Sequence, residues 1–183
     1  MIKLYKYLFG MLSVPVALFL FATCNKESVE EQQQKNIETY LTNHHYPISE
    51  EGGVYYAQLD APFCDTAIIG VDTIITCWQV EKGGTVQVEY VAYIVNGSNI
   101  GSVYATSLND VAVQNSMEPV KIAPFVVGKG EVIDGLDKGV QRMSYGEHGL
   151  LMFPFTQGYG KLQVGMVPSE SALAFEVWIV GLQ

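Results

Sequence analysis

The sequence is poor in the residues from which metal centres and nucleic-acid interfaces are built. Only three cysteines and three histidines occur among 183 residues. They form no close cluster, so we expect no metal site. His148 stands apart from the other histidines and is expected at the surface, because metal ligands occur in sets. Ten lysines and arginines stand against 19 aspartates and glutamates, for a formal net charge of -9. A chain this acidic repels phosphate backbones, which excludes nucleic acid as an expected partner.

Charged residues of both signs are scarce as well. They make up 16% of the chain, whereas 49% of the residues are hydrophobic. This composition excludes a disordered protein and supplies the apolar side chains of a sizeable core. The length predicts one compact domain with tails. The glycines near residue 130 do not follow the G-x-G-x-x-G spacing of a dinucleotide site, and no cofactor is expected.

The N-terminal segment has the layout of a secretory signal. Two lysines precede an uncharged run over residues 7–23 that ends at Cys24. The run is short for a membrane span and contains Pro15, although a permanent single-span anchor is the alternative. Residues 20–24 resemble the cleavage box of bacterial lipoproteins. That resemblance implies cleavage before Cys24, lipid attachment to its thiol, and an extracytoplasmic protein anchored to a bacterial membrane on the periplasmic face or the cell surface.

An amphipathic helix is predicted directly after this segment. Apolar residues recur at helical spacing within 29–45, and Ser28 with Glu31 forms the pattern of a capping box. We interpret this helix as a spacer that holds the domain away from the bilayer. The predicted organisation is a signal peptide over residues 1–23, a lipid-anchored helical linker over 24–46 and a globular domain over 47–183.

The body of the chain reads as antiparallel sheet with one short helix. Alternation is clearest over residues 86–95, and Asn96-Gly97 is a strong hairpin signal. Strands are predicted over residues 54–59, 66–78 with a turn at 70–72, 86–95, 150–153 and 173–180. Residues 133–143 show helical spacing, with Asp134 as the expected cap. Gly135 and Gly139 weaken this helix, and we infer that they let it approach a sheet closely. The pattern predicts an α+β fold.

Two cysteines, Cys64 and Cys77, flank the strand-turn-strand stretch in this body. If the protein is exported, they could form a disulfide bond. The alternative is a pair of buried free thiols, and the sequence leaves both open.

Four blocks in residues 84–180 resemble the FK506-binding-protein type of peptidyl-prolyl cis-trans isomerase in order and spacing. The blocks are residues 84–90 (GTVQVEY), 128–136 (GKGEVIDGL), 158–160 (GYG), and Val167-Pro168 followed by residues 173–177 (LAFEV). The resemblance implies an antiparallel half-barrel sheet wrapped around one short helix, with a hydrophobic pocket between them. It also implies prolyl isomerase activity on proline-containing polypeptide clients.

The resemblance implies roles for individual residues. Leu136 would floor the pocket, and the Ile133 N–H and the Tyr159 hydroxyl would each hold a substrate carbonyl. Tyr104 stands where the family has a pocket phenylalanine. The expected walls are Tyr90, Val132, Ile133, Val167 and Phe175.

Three positions depart from the family pattern. Ala105 replaces an acidic residue, Ala123 a pocket aromatic, and Leu136 a tryptophan. These departures keep open a second hypothesis, a non-catalytic chaperone or peptide-binding lipoprotein of the same fold, in which inward aromatics are plain core residues. A third hypothesis, a surface lipoprotein that handles glycans, would need an exposed aromatic platform such as Tyr55, Tyr56 and Trp78.

Overall fold

The computed structural model describes residues 27–69 and 72–183. The predicted signal peptide, the lipidation site Cys24 and most of the predicted turn at 70–72 lie outside these residues. None of the helices that are described is long and apolar enough to cross a membrane. The limits of the signal and anchor segments therefore stay predictions.

The described chain alternates short strands with three α-helices. The helices are α1 (Val29–Asn43), α2 (Asn109–Gln114) and α3 (Asp134–Val140), with a 3-10 turn at Phe155–Gln157. The strands are β1 (Glu50–Glu51), β2 (Val54–Asp60), β3 (Cys64–Ile69), β4 (Asp72–Cys77), β5 (Thr85–Asn96), β6 (Asn99–Thr106), β7 (Phe125–Val126), β8 (His148–Phe153) and β9 (Leu173–Leu182). The sequence did not predict α2.

One curled antiparallel sheet forms the body. Its strand order is β1-β2-β8-β9-β5-β6, with β7 paired to the start of β5. Strands β5 and β6 are joined where Asn96 pairs with Asn99, and Gly97 turns the chain with φ 55°. The hairpin prediction is thereby confirmed, as is the α+β half-barrel.

Helix α3 packs on the concave face of the sheet, and its glycines make the contact possible. A Cβ on Gly135 would lie 2.5 Å from the ring of Phe153, and one on Gly139 would lie 2.3 Å from Leu151 Cδ1. Both distances are shorter than real Cβ contacts, so a larger residue at either position would force the helix or the opposing side chain to shift. The predicted reason for these two glycines is confirmed.

The start of α3 differs from the prediction. Ile133 occupies the N-cap position without a side-chain cap, and Asp134 is already helical. Asp137, one turn further, is buried and accepts hydrogen bonds from the N–H groups of Gly128 (2.7 Å) and Gly130 (3.3 Å). A carboxylate in the first turn thus pairs with the preceding loop, because that loop folds back over the helix start.

Helix α1 covers the convex face of the same sheet. Its capping box is present, with hydrogen bonds in both directions between Ser28 and Glu31. Ile37 and Leu41 are completely buried at 0% and 1% exposure. Their partners are sheet residues that point away from α3, namely Tyr55, Ala57, Leu150, Met152 and Ala174. The helical part of the predicted linker is therefore docked on the domain and does not act as a free spacer.

The β3–β4 hairpin stands apart from the main sheet as a separate two-stranded ribbon. Cys64 and Cys77 face each other across it and form a disulfide bond. The alternative of two free thiols is thereby wrong. The hairpin joins the body through its base, where Phe63 donates its N–H to the Tyr145 carbonyl and Val80 pairs with Met143.

Two further expectations differ from what the structure shows. His148 is partly covered and not fully exposed: its side chain is 15% exposed, its ring stacks on Trp178 at 4.0 Å, and its Nδ1 lies 2.9 Å from the exposed Asp60. The three aromatic residues named for a glycan platform do not share an exposed surface either: Trp78 is 49% exposed, but Tyr55 is 3% exposed and Tyr56 donates a hydrogen bond to the buried Glu147. A residue's sequence neighbours do not reveal which sheet face or helix will cover it.

Candidate functional site

A cavity of about 450 Å³ lies between the concave face of the sheet and the start of α3. It opens to the surface and is walled mainly by apolar and aromatic side chains. The lining residues are Tyr90, Tyr104, Ala105, Ile122, Glu131, Val132, Ile133, Leu136, Tyr159 and Phe175. Such a concave apolar site with a few polar groups is the common form of a ligand pocket.

The aromatic walls are packed against one another, which fixes their orientation. Phe175 is at the centre: its ring lies 5.9 Å from Tyr90, 6.2 Å from Tyr104 and 5.7 Å from Phe153, between centroids. Tyr104 meets Tyr159 edge to face at 6.3 Å. Edge-to-face and offset pairs at these distances are stabilising, so the rings form a rigid wall.

Buried hydrogen bonds hold the Tyr90 backbone in place. Its N–H donates to Ser107 Oγ at 2.9 Å, and its carbonyl accepts from Thr106 Oγ1 at 2.9 Å and from the Ser107 N–H at 3.0 Å. Thr106 is the last residue of β6 and Ser107 follows it, where the chain leaves the sheet. Their hydroxyls replace the ladder hydrogen bonds that the sheet no longer supplies there.

The floor of the cavity and one of its walls are formed by the N-terminal end of α3 and the loop before it. Leu136 is 1% exposed and lies beneath the cavity, while Val132 and Ile133 enter from the loop before the helix. Ile133 is the N-cap residue, and the first N–H groups of a helix have no partner within the helix. The Asp137 carboxylate ties this loop to α3, and Glu131 accepts a hydrogen bond from the Val126 N–H at 3.0 Å.

The Tyr104 hydroxyl is unusual among these groups. It is buried and makes no hydrogen bond with any residue of the described chain. Burial raises the pKa of Tyr104, and the neighbouring Tyr159 phenol raises it further. This oxygen is therefore a buried, neutral donor without a partner among the described residues.

Nothing in the lining resembles a nucleophile with its base. The polar lining groups are tyrosine hydroxyls and the Glu131 carboxylate, which is already engaged by a backbone N–H. Burial raises the pKa of Tyr90 as it does that of Tyr104, so both phenols stay protonated at neutral pH. Such groups donate hydrogen bonds and do not abstract protons. Within residues 27–69 and 72–183, no three His, Cys, Asp or Glu side chains are placed to hold a metal ion.

The structure brings seven of the eight pocket residues expected from the sequence to one place. Val167 is the exception: it is 1% exposed and lies in the core cluster, beside the cavity residues but not among the lining. The residues that sequence reasoning missed are Ile122 and Glu131. Ile122 carries no signal in the sequence, because it lies in an irregular segment whose course depends on the whole fold.

The chain is similar to proteins of one family by sequence and by structure. The sequence profile of the family described as FKBP-type peptidyl-prolyl cis-trans isomerase matches residues 77–180. FK506-binding protein 2 of Aspergillus oryzae is 30% identical over 119 residues, which are 64% of this chain and 89% of that protein.

Two solved structures share the fold. FkpA from Escherichia coli superposes with a TM-score of 0.55 at 17% identity, over 85% of this chain and 61% of that one. The N-terminal domain of FKBP42 from Arabidopsis thaliana gives a TM-score of 0.52 at 19% identity, over 75% of this chain and 92% of that one. At these identities the two structures bear on the fold alone.

Proposed function

Because the chain belongs to the family of FKBP-type peptidyl-prolyl cis-trans isomerases, we propose that its cavity isomerises the peptide bond before proline in polypeptide substrates. The observation that carries this proposal is the open cavity of about 450 Å³ above Leu136, walled by Tyr90, Tyr104 and Phe175. A cavity filled by the protein's own side chains would have argued against it.

The reaction needs no covalent step. Rotation about the bond before proline crosses a barrier of about 18–20 kcal/mol because it destroys amide resonance. The twisted amide is less polar than the planar one, so an apolar, water-poor site favours it relative to water. Phe175, Leu136 and Tyr90 supply such surroundings.

Orientation adds to this effect. The Ile133 N–H and the Tyr159 hydroxyl are donors at two sides of the cavity, and each would hold one carbonyl flanking the proline ring. Fixing both carbonyls restricts the substrate to rotation about a single bond. Each tenfold gain in rate requires about 1.4 kcal/mol of preferential stabilisation, a range within reach of two hydrogen bonds and an apolar wall. We expect a modest rate because Leu136 and Ala105 depart from the family pattern.

The proposed setting is outside the cytoplasm, where the protein would assist the folding of exported proteins. The signal-like segment and Cys24 are the basis for a lipid-anchored protein. The Cys64–Cys77 disulfide supports this location, since such bonds persist mainly in oxidising compartments. Proline-containing polypeptides are the proposed partners, and the lipid would link the chain to a membrane.

The direct test is a protease-coupled assay on short X-Pro peptides. We expect isomerisation above the buffer rate, and a loss of roughly tenfold or more in Tyr159→Phe if the hydroxyl holds a carbonyl in the twisted state. Tyr145→Phe is the matched control, because Tyr145 packs on Phe63 outside the cavity. A flat assay with folded wild-type protein would rule the activity out.

A second function, peptide binding without catalysis, is favoured by two observations. Leu136 and Ala105 present smaller side chains than the family places there, and the Tyr104 hydroxyl lacks a partner among the described residues. A cavity of this kind could hold a proline-containing segment without fixing its rotation. Suppression of aggregation of an unfolded client with no acceleration of isomerisation would distinguish this function from the first.

A further inference from the structure

Gln33 on helix α1 makes two hydrogen bonds to the loop that carries Tyr159. Its Nε2 donates to the Glu170 carbonyl at 2.7 Å, and its Oε1 accepts from the Phe155 N–H at 2.9 Å. Both distances are those of good hydrogen bonds. Gln33 lies outside residues 77–180, the part of the chain that matches the family profile. The N-terminal helix therefore contacts both ends of the segment 155–170.

Backbone hydrogen bonds continue from these two anchor points to Tyr159. The Phe155 carbonyl accepts from the N–H of Gly158 at 3.0 Å and of Gly160 at 2.9 Å, so it binds the residues on both sides of Tyr159. From the other anchor, the Glu170 N–H donates to the Gly160 carbonyl at 2.9 Å. The side-chain amide of Gln33 closes this network into a ring that contains the backbone of Tyr159.

The loop needs such support because its own geometry is unfavourable. Glu170 has a φ of 56°, in the left-handed region that a residue with a Cβ rarely adopts. Residues 161–166 between the anchors are all exposed and add little packing. A second contact, from Thr156 Oγ1 to Glu30 Oε1 at 2.7 Å, joins the same helix to the same loop at the surface.

We propose that Gln33 is a positioning residue for Tyr159, and that helix α1 is thereby a working part of the isomerase pocket. This inference deepens the proposed function and rests on it for its effect on rate. Gln33 touches no substrate. It acts by holding the Tyr159 loop in one conformation, so that the phenol stays against Tyr104 at the edge of the cavity.

The test compares two identical substitutions on neighbouring residues in the full chain. Gln33→Met removes both hydrogen bonds and keeps the side-chain length. Gln32→Met is the control, since Gln32 is exposed and its amide donates only to Asn36 within the helix, at 3.3 Å. Amide hydrogen exchange of Gly158, Gly160 and Glu170 should accelerate roughly threefold to tenfold in Gln33→Met, the size expected from losing one or two hydrogen bonds. It should not change in Gln32→Met.

The activity measurement is a double-mutant cycle with Tyr159→Phe. Gln33→Met should lower kcat/KM severalfold in the wild-type background and should have little further effect in Tyr159→Phe, because coupled residues are not additive. A full-sized additional loss in the Tyr159→Phe background would overturn the positioning role, and so would unchanged hydrogen exchange in the loop.

The test still gives an answer if the wild-type protein is inactive or if Gln33→Met does not fold. If wild-type protein shows no isomerase activity, the proposed function fails, while the amide exchange rates of Gly158, Gly160 and Glu170 still decide whether Gln33 positions the loop. If Gln33→Met does not fold, Gln33→Glu keeps the acceptor for Phe155, loses the donor to Glu170 and places a charged oxygen against the Glu170 carbonyl. Accelerated exchange limited to the loop in that variant supports the proposal, and unchanged exchange overturns it.

Discussion

The two faces of the central sheet are built from the same strands but are filled in opposite ways. On the convex face, Ile37 and Leu41 of α1 are fully buried against the sheet. On the concave face, α3 fills only one end, and a cavity of about 450 Å³ is left above Leu136. Protein interiors are normally close-packed, so the unfilled face is the one to which we assign function.

The alternation of side chains along one strand produces this division. In β5, Val86, Val88 and Tyr90 face α3, whereas Tyr93 and Val95 face α1. The comparison predicts that substitutions on the convex face change stability. Substitutions around the cavity should act on binding and rate.

The largest effect is expected at Leu41 on the convex face. Leu41→Ala leaves a cavity between α1 and the sheet and should lower the free energy of unfolding by roughly 2–5 kcal/mol. Val29→Ala, at a half-exposed position of the same helix, should change it by less than about 0.5 kcal/mol. Urea unfolding measures both. A loss below about 1 kcal/mol in Leu41→Ala would contradict the close packing of this face.

A smaller effect is expected where α3 meets the concave face. Gly139→Ala places a methyl group 2.3 Å from Leu151 Cδ1, and overpacking of this kind costs about 1–3 kcal/mol. It should also weaken peptide binding, because α3 carries Leu136. Shortening the opposing side chain with Leu151→Val should partly restore stability to the alanine variant. An additive double variant would show that the clash is not the cause.

Removing a tyrosine hydroxyl should change the free energy of unfolding in opposite directions on the two faces of the sheet. Tyr104→Phe removes a buried hydroxyl without a partner and should raise the free energy of unfolding by up to about 1 kcal/mol. Tyr55→Phe removes a hydrogen bond to Glu38 of α1, 3.0 Å long, and should lower it by about 0.5–1.5 kcal/mol. Thermal or urea unfolding of both variants measures these changes. If Tyr104→Phe and Tyr55→Phe change the free energy of unfolding in the same direction, the contrast between the two faces is wrong.

The smallest expected effect is the pH dependence of stability that Glu147 causes. Burial raises the pKa of Glu147 above its ordinary value, although hydrogen bonds from Tyr56 and the Ser144 N–H oppose the shift. A raised folded-state pKa stabilises the protein below the ordinary pKa of the group, and this contribution is lost as pH rises through the folded value. The stability of Glu147→Gln relative to wild type should therefore increase from about pH 4 to about pH 7. Urea midpoints across that range would show the reverse trend if the hydrogen bonds to Glu147 stabilised its carboxylate by more than burial disfavours it.

The sequence was sufficient where a pattern is local or repeated. Alternation placed the inward residues of β5 and β9, and the two glycines of α3 predicted its close contact with the sheet. The order of four sequence blocks identified the residues that line the cavity. Each of these signals depends on spacing along the chain, which the sequence contains directly.

It was insufficient where the outcome depends on which surfaces meet. The docking of Ile37 and Leu41 on the sheet depends on contacts between separate elements. The contact from Gln33 to Phe155 that accompanies it joins residues 122 positions apart. Asp134 was expected to cap α3, yet Asp137 holds the preceding loop because the chain folds back there. Helical spacing shows that a face is apolar and does not show what covers it.

The most direct test of the central claim is two-dimensional exchange NMR of a proline-containing peptide with a small amount of the full-length protein. We expect exchange peaks between the cis and trans signals of the peptide that are absent without protein and strongly reduced with Phe175→Ala. Tyr145→Phe should leave them intact. If folded wild-type protein binds the peptide and produces no exchange peaks, the cavity above Leu136 does not catalyse the rotation, and the account is wrong on that point.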